Sequence, residues 1–169
     1  MIVGASRLWG YNAVMPGKPD RPIDSVYLAD LMEDFLVECP QCRSVAKVAV
    51  LGERPDWEAS LYCESCGKFW KKSTKGYVGA RHMALIFGHS VDPYFHLPLW
   101  LQAPCCGSIL WAYNRRHLQF LEDVVGAKLR KTSSIRRCPT PLSQRLPRWM
   151  LDRKHRDEVL RGIKRLKAK

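Results

Sequence analysis

Cys39, Cys42, Cys63 and Cys66 are the residues of this chain best placed to do chemistry. They form two C-x-x-C pairs, Cys39-Pro40-Gln41-Cys42 and Cys63-Glu64-Ser65-Cys66, with twenty residues between them. That spacing is the signature of a four-cysteine zinc site. Two intervening residues let both sulfurs of a pair point the same way from one tight turn, and two such turns supply the tetrahedron of thiolates that structural zinc takes. Gly67, directly after the second pair, can supply the positive backbone dihedral such a turn often needs. One Zn2+ is therefore expected on Cys39, Cys42, Cys63 and Cys66. A closed four-sulfur site keeps no position for a substrate, so the metal is expected to hold the fold and not to catalyse.

A second cysteine turn, Ala103-Pro104-Cys105-Cys106-Gly107, has the form of the same knuckle with alanine at its first cysteine. Two readings are open. It is a metal-free hairpin, with Trp100, Trp111 and Tyr113 packing where a metal would sit, or Cys105 and Cys106 join His96 or His117 in a second site. A metal needs about four ligands in reach and no clean partner pair is apparent, so the metal-free hairpin is favoured. Cys138 is a stray candidate in a linker. His82, His89 and His96 recur every seven residues, but Gly88 and Pro93 oppose one continuous helix through them. The chain has no P-loop, H-E-x-x-H, G-x-S-x-G or paired acidic metal motif, and it is read as not an enzyme. Cys105 or Cys106 as a nucleophile beside His117 is disfavoured against a structural turn.

Charge points to a partner. The formal net charge is +12, and residues 115–169 hold 17 Lys and Arg against 5 Asp and Glu, so the whole excess lies there. A one-sided basic end suggests a polyanion, most often nucleic acid, with DNA and RNA not distinguished. The phosphate-contact candidates are Lys71, Lys72, Arg115, Arg116, Lys131, Arg136, Arg137, Arg153 and Lys154. Lys68, Lys71, Lys72 and Lys75 interleave with Phe69 and Trp70, a composition suited to stacking and charge together. The competing reading is a protein–protein adaptor: six tryptophans offer anchors and the last helix is basic and amphipathic. No apolar run is long enough for a membrane helix and the start lacks a secretory pattern. Paired C-x-x-C motifs then imply reduced thiolates and a cytoplasmic protein.

The elements that must position these residues are read as α+β. Residues 1–22 are a loose arm punctuated by Pro16, Gly17, Pro19 and Pro22. Residues 23–36 carry Tyr27, Leu28, Leu31, Met32, Phe35 and Leu36 at helical spacing, which predicts an amphipathic helix. Residues 37–75 are the zinc ribbon: knuckle, hairpin (44–51 with 57–62), knuckle, and a strand opening at Phe69. Residues 76–130 are an aromatic β-hairpin, 97–101 with 108–113, plus a helix capped by Asn114 and running to about Arg130. Residues 131–169 are a basic linker and a C-terminal helix from about Asp152 to Leu166.

Taken together, the paired knuckles resemble the zinc ribbon of transcription factor IIB. The stretch LPLWLQAPCCGSILWAYNRRHLQFLEDVVGAKLR looks like the downstream block of small bacterial zinc-ribbon proteins of uncharacterised function. The resemblance covers roughly residues 37–169 and implies the ribbon fold and its four zinc ligands, while ribbons serve many partners. Nothing in the chain matches the cyclin-like repeats that follow the ribbon in transcription factor IIB.

Overall fold

In this computed structural model the described residues are 23–51, 58–73, 89–127 and 141–169. Four strands form one antiparallel sheet in sequence order: β1 (Asp34–Glu38), β2 (Val45–Leu51), β3 (Glu58–Tyr62) and β4 (Phe69–Ser73). The period-two alternation of these strands sorts their faces. Phe35, Val37, Ala46, Val48, Ala59 and Leu61 are buried on the inner face, against Tyr94, Leu99 and Tyr113. Tyr62 and Phe69, directly opposite each other in the register, lie on the outer face.

The helix expected over 23–36 does not form. The chain makes two short 3-10 turns, Ile23–Ser25 and Leu28–Leu31, and then enters β1. The apolar positions 28, 31, 32, 35 and 36 fit a helical period, but Phe35 and Val37 also fit a strand. Pairing with β2 (Phe35↔Val48, Val37↔Ala46) decides in favour of the strand, because it gives the sheet its fourth member and buries both side chains. The outer edge of β1 is then covered by the segment before the second sheet. Trp100 N–H donates to Leu36 O (2.9 Å), Glu38 N–H to Pro98 O (2.9 Å), and Val37 bridges Leu99.

The second sheet is the hairpin β5 (Leu101–Cys105) and β6 (Ser108–Ala112). The strand expected over 97–101 is thus displaced, since Leu99 and Pro98 serve as bridges to β1 and to Val91. The helix α1 (Arg115–Gly126) follows, with Ala127 as its C-cap, so it stops short of Arg130; residues 128–140, including the expected linker, lie outside the described residues. Asn114 is its N-cap as expected: Oδ1 accepts the His117 N–H at 2.9 Å. A short helix α2 (Arg148–Leu151) precedes α3 (Arg156–Lys167). Asp152 caps the 3-10 turn Arg153–His155 that leads into α3, and not α3 itself.

The hairpin, α1 and α3 share a second core built on Leu101, Leu110, Leu118, Leu121, Val125, Ile163 and Leu166. Gly162 lets α3 approach β6 closely, since a Cβ there would lie 2.9 Å from Leu110 Cδ2. Asn114 joins the two cores. It is buried, and its Nδ2 donates to Leu31 O (2.7 Å) and Asp34 O (2.9 Å), tying the entry to β1 to the start of α1. Among the described residues no helix is long and apolar enough to cross a membrane.

Candidate metal centre

The two knuckles are built alike. In the first, Cys39 N–H donates to Ser44 O (2.8 Å) and Arg43 N–H to Cys39 O (3.0 Å); in the second, Cys63 N–H donates to Lys68 O (2.9 Å) and Gly67 N–H to Cys63 O (3.0 Å). Each turn needs a left-handed residue after its second cysteine, at φ 64° for Arg43 and 70° for Gly67. Glycine takes that conformation without penalty, whereas Arg43 adopts it against a cost of roughly 1–2 kcal/mol. The glycine signal was therefore readable at the second knuckle and hidden at the first.

β1–β2 and β3–β4 carry the knuckles at the same end of the sheet, and all four sulfurs lie within 4.8 Å of one another. Cys39 and Cys66 are separated by 3.7 Å between sulfurs, Cys42 and Cys63 by 3.6 Å. A tetrahedron with metal–sulfur bonds of about 2.3 Å has sulfur–sulfur edges of about 3.8 Å, whereas a disulfide needs about 2.05 Å. The four sulfurs thus fit a metal ion, and all four cysteines are unbridged. Cys39 and Cys63 are buried and Cys42 and Cys66 half-buried, so the cluster is closed on the core side.

The electrostatics also call for a cation. The Ser44 N–H and then the Ser44 hydroxyl push the Cys42 thiol down to about 6. Burial resists ionisation of Cys39, but the N–H groups of Cys42 and Gln41 outweigh it and lower its pKa. The Lys68 N–H favours the Cys66 thiolate, yet burial and the neighbouring sulfurs of Cys42, Cys39 and Cys63 push it up to about 12. Backbone donors thus prepare some thiolates, and four together require a positive ion among them.

Compared with family models, with curated proteins and with solved structures, the chain matches none. The site therefore rests on its own geometry.

The second cysteine turn is not a knuckle. The register Ala103↔Leu110, Pro104↔Ile109, Cys105↔Ser108 carries the strands through to a two-residue loop, Cys106-Gly107. Both loop residues have positive φ, 52° and 70°, the mark of a type I′ hairpin turn. Neither His96 nor His117 joins these cysteines. His96 is exposed, and His117 is buried with Nδ1 accepting the Tyr113 N–H at 3.3 Å. What approaches instead is Glu158 of α3, whose Oε1 accepts the Cys106 N–H at 2.9 Å. Cys138 and His82 lie outside the described residues.

The described cationic candidates fall in three places. Lys71 and Lys72 are exposed on β4, Lys71 facing Glu58 (3.9 Å) and Lys72 donating to Tyr94 O (2.7 Å). Arg153 and Lys154 are exposed before α3, with Lys154 at 3.6 Å from Asp152. Arg115 and Arg116 are exposed but serve the fold as well, Arg115 donating to Lys167 O (3.0 Å) and Arg116 pairing with Glu33. Lys131, Arg136 and Arg137 lie outside the described residues, as does Lys75.

The sequence sets Phe69 and Trp70 side by side, and the strand divides them between its two faces. Phe69 (55% exposed) sits on the outer face beside Tyr62 (50%), with Lys71 Nζ 6.0 Å from its ring centre. Trp70 sits on the inner rim, stacked on Phe95 at 6.0 Å with planes 6° apart, and under Lys68. Asp92 fixes Phe95: its carboxylate is fully buried and accepts the N–H groups of Tyr94, Phe95 and Leu97 at 2.9, 2.8 and 2.7 Å. The Asp92-Pro93 step, a turn signal, was the available clue to that loop.

Proposed function

We propose that this chain is a zinc-ribbon nucleic-acid-binding accessory protein of the cytoplasm, with one structural Zn2+ on Cys39, Cys42, Cys63 and Cys66. Four thiolates at tetrahedral spacing suit zinc, and a closed set of this kind stabilises a fold. The observation that carries the partner reading is the outer face of β3–β4. Tyr62 and Phe69 form an exposed cross-strand pair, flanked by Lys47 opposite Tyr62 and Lys71 beside Phe69. Bases stack on half-exposed rings set side by side in this way, and the lysines beside them can hold the backbone that joins the bases. Exposed Arg153, Lys154, Arg161, Lys164 and Arg165 near and on α3 extend the phosphate-binding surface.

Affinity for single-stranded oligonucleotides, measured against salt, tests this. For about six phosphate contacts to a single strand, binding weakens by about two and a half orders of magnitude between about 50 and 200 mM salt. Removing Tyr62 and Phe69 together costs a further factor of about thirty or more, at about 1–3 kcal/mol per stacked base. Replacing Lys131, Arg136 and Arg137 with alanine flattens the salt slope if the linker takes part. No binding by the intact protein at low salt rejects the reading. The protein-adaptor alternative then leads, with the same aromatic pair as its anchor and an acidic protein surface as the partner of α3.

A further inference from the structure

We propose that Cys105, Cys106 and Glu158 form a second, open metal site for a borderline divalent cation of the Zn2+ class, independent of the four-cysteine centre. One ligand atom from each, two sulfurs and a carboxylate oxygen, lies within 4.8 Å of the other two. The sulfurs are 3.6 Å apart, the edge of a metal-centred tetrahedron and far beyond a disulfide bond. These ligands come from two elements 52 residues apart, brought together by two local devices. Gly162 lets α3 settle on the hairpin, its missing Cβ leaving a position 3.7 Å from Cys105 Sγ. The Cys106 N–H then fixes Glu158 by its hydrogen bond to Oε1. A carboxylate has lone pairs enough to keep that bond and still bind a cation.

Cys106 is also strained. It holds φ 52° in a turn position that asparagine, aspartate or glycine fills at lower cost. Strain of this sort gathers at sites that use it. Mixed sulfur and oxygen donors suit a borderline ion and disfavour Cu(I), which prefers sulfur alone. Three protein ligands leave a fourth position for water or for a donor from outside, in contrast to the closed centre on the first sheet. Binding converts both thiols to thiolates and releases two protons to solvent, with no change of oxidation state.

Full-length protein carrying Cys138→Ser and loaded with one equivalent of Zn2+ is titrated with Co2+. The expected result is a second equivalent with near-ultraviolet sulfur-to-cobalt charge transfer of two thiolates. Cys106→Ser abolishes that band. Glu158→Gln weakens the second equivalent by at least about tenfold, the lower end of what even outer-shell ligand partners contribute. The first equivalent of zinc is retained in both. A single equivalent at saturating Co2+, a second equivalent without thiolate charge transfer, or a second equivalent unchanged in either variant overturns the proposal. Should a variant misfold, the stoichiometry and charge transfer of the parent protein decide alone.

Discussion

His117 shows how one side chain can set the acid limit of a fold. It is buried beneath Trp111 and Tyr113, with ring centres 5.7 and 5.3 Å away, and its Nδ1 accepts a backbone N–H. Burial pushes its pKa down from 6.5 to about 4. In the unfolded chain the imidazole takes its proton near the ordinary value, while in the folded chain it stays neutral until about 4. Stability is therefore whole above pH 6.5 and falls as pH drops through the window from 6.5 to about 4. The loss amounts to at most ~3 kcal/mol. His117→Asn keeps an acceptor and cannot titrate, so the difference between parent and variant in denaturant unfolding should stay constant with pH if His117 is not the cause. A difference that changes steadily across that window is the expected outcome.

At the scale of elements, Asn114 does two jobs that substitution can separate. Asn114→Ala loses the cap of α1 and both bonds to Leu31 O and Asp34 O, and should destabilise by about 2–4 kcal/mol. Asn114→Asp keeps the capping oxygen but sets a carboxylate against two carbonyls, so a loss nearly as large is expected while α1 itself keeps its cap. Thermal or denaturant unfolding of the pair reads this directly; an Asp variant as stable as the parent would mean the two carbonyl bonds carry nothing. Gly162→Ala tests the seat of α3. Its Cβ meets the branched end of Leu110 at 2.9 Å, and overpacking of this kind costs about 1–3 kcal/mol unless Leu110 turns aside. The cap, the knuckles and the hairpin turn were legible because each is written in adjacent residues: Asn114 before a periodic run, C-x-x-C, Cys106-Gly107. β1 was not, because Phe35 and Leu36 continue the helical period that runs from Leu28 while Phe35 and Val37 fit a strand, and only β2 chooses between them. Glu158 at Cys106 was not, since no local pattern announces a contact between a hairpin and a helix 52 residues on.

For the whole molecule, the presence of two cores predicts what metal loss does. The four cysteines close the end of the first sheet, whose core is small, whereas α1, α3 and the hairpin pack around their own. Metal binding and folding are coupled in small modules. Cys63→Ser, or chelation, should abolish the tightly held metal and release hydrogen-exchange protection in β1–β4 first, while α1 and α3 keep theirs. Protection lost evenly across both cores would show a single cooperative unit, with Asn114 and the β1 edge binding the halves more firmly than their separate cores imply. The α+β class followed from the sequence because strand-rich and helix-rich stretches are segregated along it. The joint between them did not, because it is made largely of backbone bonds, from 98–100 and Tyr113 to β1, together with one buried amide.

The covering of β1 by residues 98–100 has a further consequence for self-association. A sheet with two open edges can recruit copies of itself without end, in a fibre. Here one edge is occupied from within the same chain, and among the described residues the other, β4, pairs with no further strand. Among the described residues growth through this sheet is thus one-sided, and two copies joined β4 to β4 would stop at a pair. Such a pair would also bring two Tyr62–Phe69 cross-strand pairs into one strip along the joined sheets.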